Sequence, residues 1–116
     1  MKSEIISIQD NDITFFIGGS AKENFEIIDS AKPDDLWFHV DNLPSCHVIA
    51  AISYITDNKS KKNIRYIVKQ GAILCKKYSK YKSVSNLQIT YTYISNVHKT
   101  DVIGSVITTN SKIIKV

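Results

Sequence analysis

The segment 63–78 has a sharp helical period. At 100° per residue, Ile64, Ile67, Val68, Gly71, Leu74, Cys75 and Tyr78 fall within about 60° of one direction, the mark of an amphipathic helix. Gly71 sits in the middle of that apolar face. A glycine there costs about 1 kcal/mol of helix propensity relative to alanine. A close approach of the helix to a sheet would offset that cost, so the pattern predicts a long helix lying tightly on a β-layer. The opposite side carries Lys62, Arg65, Lys69, Lys76 and Lys80 with no glutamate between them. Like charges at these spacings repel, and a purely structural surface would normally break such a stripe.

The strands for that layer are legible on both sides of the helix. Glu4–Ile8 and Ile13–Ile17 flank the turn cluster Asp10-Asn11-Asp12 and predict an opening hairpin. After Gly18-Gly19, Ser20 and Glu23 form a capping box for a short helix over 21–31, which Pro33 stops. Leu36–Val40 has a period of two, with Leu36, Phe38 and Val40 on one face and Trp37 and His39 on the other. His47–Ser53 is a strongly apolar strand; pairing it with Leu36–Val40 would bring His39 and His47 together near the turn. Leu87–Tyr93 alternates well, and 105–109 with 112–116 predict a closing hairpin around Asn110-Ser111. The expected fold class is α+β: one compact domain over 1–116, a mostly antiparallel sheet with one short and one long amphipathic helix, in the order β-β-α-β-β-α-β-β-β.

Charge is divided unevenly along the chain. Residues 1–58 carry a net −7; residues 59–116 hold 11 Lys, Arg65 and a single acid, Asp101, a net +11. A nearly acid-free half is a positive field that suits a polyanionic partner, most often nucleic acid. The competing reading is internal, the basic half pairing with the acidic half. Fourteen lysines against one arginine also match the codon bias of an AT-rich genome. The longest apolar run, Val48–Ile52, is too short to span a membrane. The first ten residues have no apolar core of a secretory signal. Two cysteines, Cys46 and Cys75, make no disulfide framework and read as free thiols of a reducing compartment, so a cytoplasmic location is expected.

Three kinds of chemistry can be weighed. His39, Cys46 and His47, with Asp35 and Asp41 nearby, have metal-ligand side chains, but there is no CxxC or HExxH and the four ligands of a structural zinc site do not close. Cys46 and His47 as neighbours on a strand point to opposite faces, a poor nucleophile–base pair. Neither demands an enzyme, and no cofactor is expected. Nucleic-acid binding draws on the most residues. The helix stripe continues into Lys77, Tyr78, Lys80, Tyr81 and Lys82, where lysines neutralise phosphate and tyrosine rings can stack on unpaired bases. Trp37 and His39 offer a similar platform, with core packing the alternative fate for Trp37.

The run Asp35-Leu-Trp37-Phe-His39-Val, followed by Leu43-Pro44-Ser-Cys-His47-Val48-Ile49, resembles the D-x-W-x-H…P-G-S-H-V-I signature of the NFACT-R domain family. Gly19-Ser20-Ala-Lys22-Glu23-Asn24 is similar to its G-x-x-x-x-x-N segment. Tyr78-Ser79-Lys80, Ile89-Thr90-Tyr91-Thr92, Val97-His98-Lys99 and Gly104 follow its order. The likeness covers about Phe16 to Val116. It departs where Ser45-Cys46 replaces Gly-Ser, where Phe25 replaces an Asp, and where His98 replaces the first lysine of a pair. NFACT-R is an RNA-binding module of proteins that act on the large ribosomal subunit and tRNA in ribosome-associated quality control. It also occurs in a small stand-alone type, which this chain resembles without the coiled coil.

The resemblance implies RNA or ribonucleoprotein binding, and carries over Trp37, His39, His47, Asn24 and Lys99. Together with the charge split, it leads to a non-enzymatic RNA-binding domain with tRNA or the large ribosomal subunit as partner. Its expected site comprises Trp37, His39, His47, Asn24, Lys62, Arg65, Lys69, Lys76, Lys80, Lys82 and Lys99. DNA is a possible second polyanion, and no membrane contact is expected. A protein–protein adaptor working through its acidic half or a free sheet edge, and a metal-assisted hydrolase using His39, His47 and Cys46, are the competing classes.

Overall fold

Strands β1 (Lys2–Ile8) and β2 (Asn11–Gly18) pair antiparallel with Ile8 opposite Asn11. Gln9 and Asp10 connect them, with φ of 50° and 69°. Two successive left-handed residues match the twist of the strands they join. The turn falls earlier than the Asp10-Asn11-Asp12 cluster suggests, because Asn11 and Asp12 are drawn into the ladder opposite Ile8 and Ser7. In this computed structural model the described residues are 1–55 and 60–116, with the side chains of 60–63 excepted.

Helix α1 (Ala21–Ser30) starts with the expected Ser20–Glu23 pair, the Glu23 carboxylate reaching one residue past the N-cap. Ser20 Oγ accepts the Glu23 N–H at 3.2 Å, and Glu23 Oε1 accepts the Gly19 N–H at 2.9 Å. Strands β3 (Leu36–Val40) and β4 (His47–Ala51) form the next antiparallel pair. Asp35 locks its open end. Its buried carboxylate accepts the backbone N–H groups of Lys32, Ile52 and Ser53, each at 2.9 Å. At the turn end, Ser45 Oγ accepts the Val40 N–H at 3.1 Å. The residue that departs from the family pattern thus closes the turn with its own hydroxyl.

Helix α2 (Ser60–Lys77) follows, then β5 (Gln88–Tyr93), a single 3₁₀ turn at 94–96, β6 (Val97–Lys99), β7 (Val106–Thr108) and β8 (Lys112–Lys115). The main sheet has the order β1-β2-β4-β3-β5-β8, antiparallel throughout. The closing hairpin expected over 105–116 does not form. β7 pairs with β6 in a separate two-stranded sheet, and β8 pairs with β5. The cause lies at Asn110, whose φ is 52°. The Thr92 hydroxyl donates to the Thr109 carbonyl at 3.1 Å, and the Thr109 N–H donates to the Asn96 carbonyl at 3.0 Å. These bonds hold the segment against β5, and the chain then leaves one sheet for the other.

The alternation on β3 divides the core as its period requires. Leu36, Phe38 and Val40 join Phe15, Val48, Ile89 and the α2 residues Ile67, Val68, Ala72 and Cys75 in the larger cluster. Trp37 and Ile49 face the other way, against Ile27 and Ile28 of α1 and Val97 of β6. The radius of gyration, 13.1 Å, matches the value of about 13 Å for one compact domain near this length. The fold is therefore α+β, with α2 on one face of the main sheet and α1 with the small sheet on the other. Among the described residues, no helix is long and apolar enough to cross a membrane.

Candidate nucleic-acid interface

The expected site residues separate onto opposite faces of the sheet. The α2 side holds the basic ones except Lys99, which pairs with Asp29 of α1 on the other side. Arg65, Lys69, Lys80 and Lys82 are exposed, and none makes an ion pair with a described residue. Lys62 lies among the residues whose side chains are not described. Lys76 is half-buried and donates to the Val116 carbonyl at 3.0 Å. Two ion pairs join the acidic and basic halves, Lys77 with Glu4 and Lys99 with Asp29, so internal pairing engages little of the described positive charge.

Tyr78 and Tyr81 pack against the larger core cluster, and the Tyr78 hydroxyl donates to the Glu4 carboxylate. That hydrogen bond, with Lys77 beside it, lowers the Glu4 pKa. The exposed rings on this side are instead Tyr93 and Tyr66, the latter with the Arg65 guanidinium carbon 5.1 Å from its centroid. The single cation flanking Tyr66 distinguished it little from the other tyrosines in the sequence.

The opposite face holds the aromatic residues. The β3–β4 ladder ends with Phe38 opposite Val48, and His39 and His47 lie next to that pair; their rings meet edge to face with centroids 5.0 Å apart. Trp37 stacks on His39 at 5.6 Å with 4° between the planes. Its indole N–H donates to His47 Nδ1 at 3.1 Å. Trp37 and His47 are each 2% exposed, and His39 is half-buried. Burial pushes the His47 pKa down to about 3, with His39 adding to the shift. Burial also lowers the His39 pKa, against the Val40 backbone and the Asp41 charge. Both rings are neutral at pH 7.

Asn24 reaches this cluster from α1. Its Oδ1 accepts the His47 N–H at 3.1 Å. Gly18, opposite His47 in the ladder, makes room for it, since a Cβ there would lie 2.3 Å from Asn24 Oδ1. Above the rings lies an open cleft of about 710 Å³. The 41–44 turn walls one side, and Gly104, Ser105, Val106 and Thr108 wall the other. Gly104 has φ 82°, and a Cβ on it would lie 2.7 Å from Ala21 Cβ, so only glycine seats this loop against α1. Sequence reasoning placed a strand at 105–109 but paired it with 112–116, and it missed β6, whose three residues are too few for a period to show; the second wall was therefore not expected.

Cys46 belongs to the larger cluster on the other side of the sheet. It contacts the Cys75 carbonyl at 3.6 Å, while Cys75 Sγ approaches the Cys46 carbonyl at 3.9 Å. It is therefore separated from both histidines. Asp35 is committed to backbone groups at the far end of β3. Among the described residues, no three His, Cys, Asp or Glu side chains converge as metal ligands.

A six-stranded antiparallel sheet with a helix on each face and an aromatic cleft beside the first helix defines a small α+β module. The chain belongs to the NFACT protein RNA binding domain family, whose model matches residues 5–115. It is 33% identical over 99 residues to coiled-coil domain-containing protein 25 of Bos taurus and of Mus musculus, covering 81% of this chain and 45% of each relative. The Danio rerio protein of the same name is 36% identical over 92 residues, covering 75% and 42%. The chain thus spans less than half the length of these relatives. Among solved structures, the C-terminal part of the fibronectin/fibrinogen-binding protein from Streptococcus suis superposes with a TM-score of 0.77 at 23% identity, covering 100% of this chain and 45% of that one. This likeness concerns the fold.

Proposed function

We propose that this chain is a non-enzymatic domain that binds structured RNA, tRNA or ribosomal RNA of the large subunit, in ribosome-associated quality control in the cytoplasm. The observation that carries the reading is the set Arg65, Lys69, Lys80 and Lys82: exposed, without ion pairs to described residues, and drawn from a half-chain of net +11. Charges left unneutralised on one half of a domain bind phosphate and release counterions. Membership of an RNA-binding domain family supports RNA as the polyanion. Tyr66 beside Arg65 adds an exposed ring at which an unpaired base can stack.

The test is a titration of labelled tRNA, single-stranded RNA and duplex DNA at roughly 50 and 200 mM salt. Tight binding that falls steeply with salt and favours RNA is expected. The triple variant Arg65→Glu, Lys69→Glu, Lys80→Glu should lose that binding. Equal binding to every polyanion would reduce the reading to a general basic surface. Salt-insensitive binding, or none at low salt, would reject it in favour of a protein–protein adaptor.

A further inference from the structure

The cleft over Trp37, His39 and His47 has a different chemistry from the lysine-bearing side, because no lysine or arginine lines it. Phosphate would find no cation there. What it offers is one oriented donor. His47 Nδ1 accepts the Trp37 indole N–H at 3.1 Å, which only an unprotonated nitrogen can do, so the neutral ring carries its proton on Nε2. No described residue pairs with Nε2. Among the described residues, no fully enclosed side-chain nitrogen or oxygen is left without a partner. Nε2 therefore has accessible surface, and the ring that carries it is 2% exposed and lines the cleft.

Beside this donor lie the stacked planes of Trp37 and His39. Asp41, two residues beyond His39, and the hydroxyls of Ser105 and Thr108 also border the space. A flat heterocycle with in-plane acceptors and donors matches this set. The volume of about 710 Å³ lies within the range of small-ligand sites.

We propose that the cleft receives one unpaired nucleobase, with His47 Nε2–H donating to a ring nitrogen or carbonyl oxygen of the base. The proposal rests on the RNA-binding reading and deepens it. Lysines on the α2 side hold phosphates without regard to sequence, and the cleft on the opposite face reads a base. The base in the cleft belongs to a strand that turns round the edge of the domain, or to a second segment of the same RNA.

Trp37 is the chain's one tryptophan, and its emission reports this cleft. A mixed-sequence single-stranded RNA and its duplex form are titrated at low salt, with fluorescence anisotropy of the labelled RNA for binding and Trp37 emission for the cleft. Both RNAs bind, and the single strand alone gives a saturating change in emission. His47→Asn keeps an acceptor near the Nδ1 position and deletes the Nε2 donor. It should lose the emission change and about tenfold in single-strand affinity, the worth of one hydrogen bond. His47→Gln keeps a donor near the Nε2 position and should retain the response. If single-stranded RNA binds while Trp37 stays silent, or if His47→Asn responds as wild type does, the cleft proposal is overturned and RNA binding stands. If neither RNA binds, the RNA reading itself falls. The wild-type titration decides the matter even if both variants misfold.

Discussion

The Cβ that Gly71 lacks would sit 2.3 Å from Cζ of Phe38, so α2 rests directly on the face of a β3 phenylalanine. Two effects of Gly71→Ala oppose one another. Helix propensity gains about 1 kcal/mol, and overpacking a filled site costs roughly 1–3 kcal/mol. The ring is wholly buried and close on several atoms, so the cost should exceed the gain. Gly71→Ala is expected to lower the urea midpoint without changing the slope, and Phe38→Leu in the same chain should recover part of the loss. An alanine variant as stable as wild type would mean that the helix stands further from the sheet.

Acid should unfold this domain earlier than its carboxylates alone require. The His47 pKa is depressed from 6.5 to about 3 by burial, so the unfolded chain takes up a proton that the folded one refuses. The neutral ring's contribution is complete above pH 6.5 and is lost as the pH falls toward 3, at up to about 1.4 kcal/mol per unit. The lowered His39 pKa acts in the same direction. Unfolding free energies at pH 7, 6, 5 and 4 should fall through that window in wild type and less steeply in His47→Gln. Equal slopes in the two proteins would show that this ring protonates freely in the folded state.

Asp35 supports the cleft from a distance. Its carboxylate ties the 32–35 turn and the start of β3 to the end of β4 through three backbone N–H groups, and hydrogen bonds to a charged acceptor are worth about 1.5–3 kcal/mol. Removing the acceptor leaves those donors unsatisfied. Asp35→Ala should therefore cost about 3 kcal/mol or more and Asp35→Asn less, read by thermal unfolding. Folded Asp35→Asn should bind RNA with the wild-type salt dependence. A changed dependence would place Asp35 at the RNA.

The parts of this fold that depend on long periods are legible in the sequence. The α2 stripe, the β3 alternation and the Ser20–Glu23 box each appear where the residues put them, and Gly71 announced the close packing. The last third was less legible. Strands of three residues have no period, and the route of 105–115 is set by Thr92, Asn96 and Asn110, none of which marks a sheet crossing by its type. The arrangement of the candidate residues was half legible. The β3 period and the pairing with β4 put Trp37, His39 and His47 together, but a linear charge pattern does not say that the α2 cations and this cluster lie on opposite sides of one sheet.

Lys99 is the residue for which resemblance and geometry predict different behaviour. Similarity to the family marks it for RNA. In the fold its ammonium pairs with Asp29 and lies 5.1 Å from the centre of the Phe25 ring, holding β6 against α1. A partly exposed pair of this kind is worth about 0–1 kcal/mol, and a cation already neutralised in this way releases little counterion when RNA binds. Lys99→Ala should then change RNA affinity by about twofold at most and leave the slope of log affinity against log salt unaltered. Arg65→Ala removes a cation that makes no ion pair with a described residue, and should reduce that slope by nearly one. The comparison needs the two alanine variants and wild type on the same RNA over four salt concentrations. A slope that falls as far for Lys99→Ala as for Arg65→Ala would show that the Asp29 pair opens when RNA binds, and would place a phosphate contact on the α1 side of the sheet.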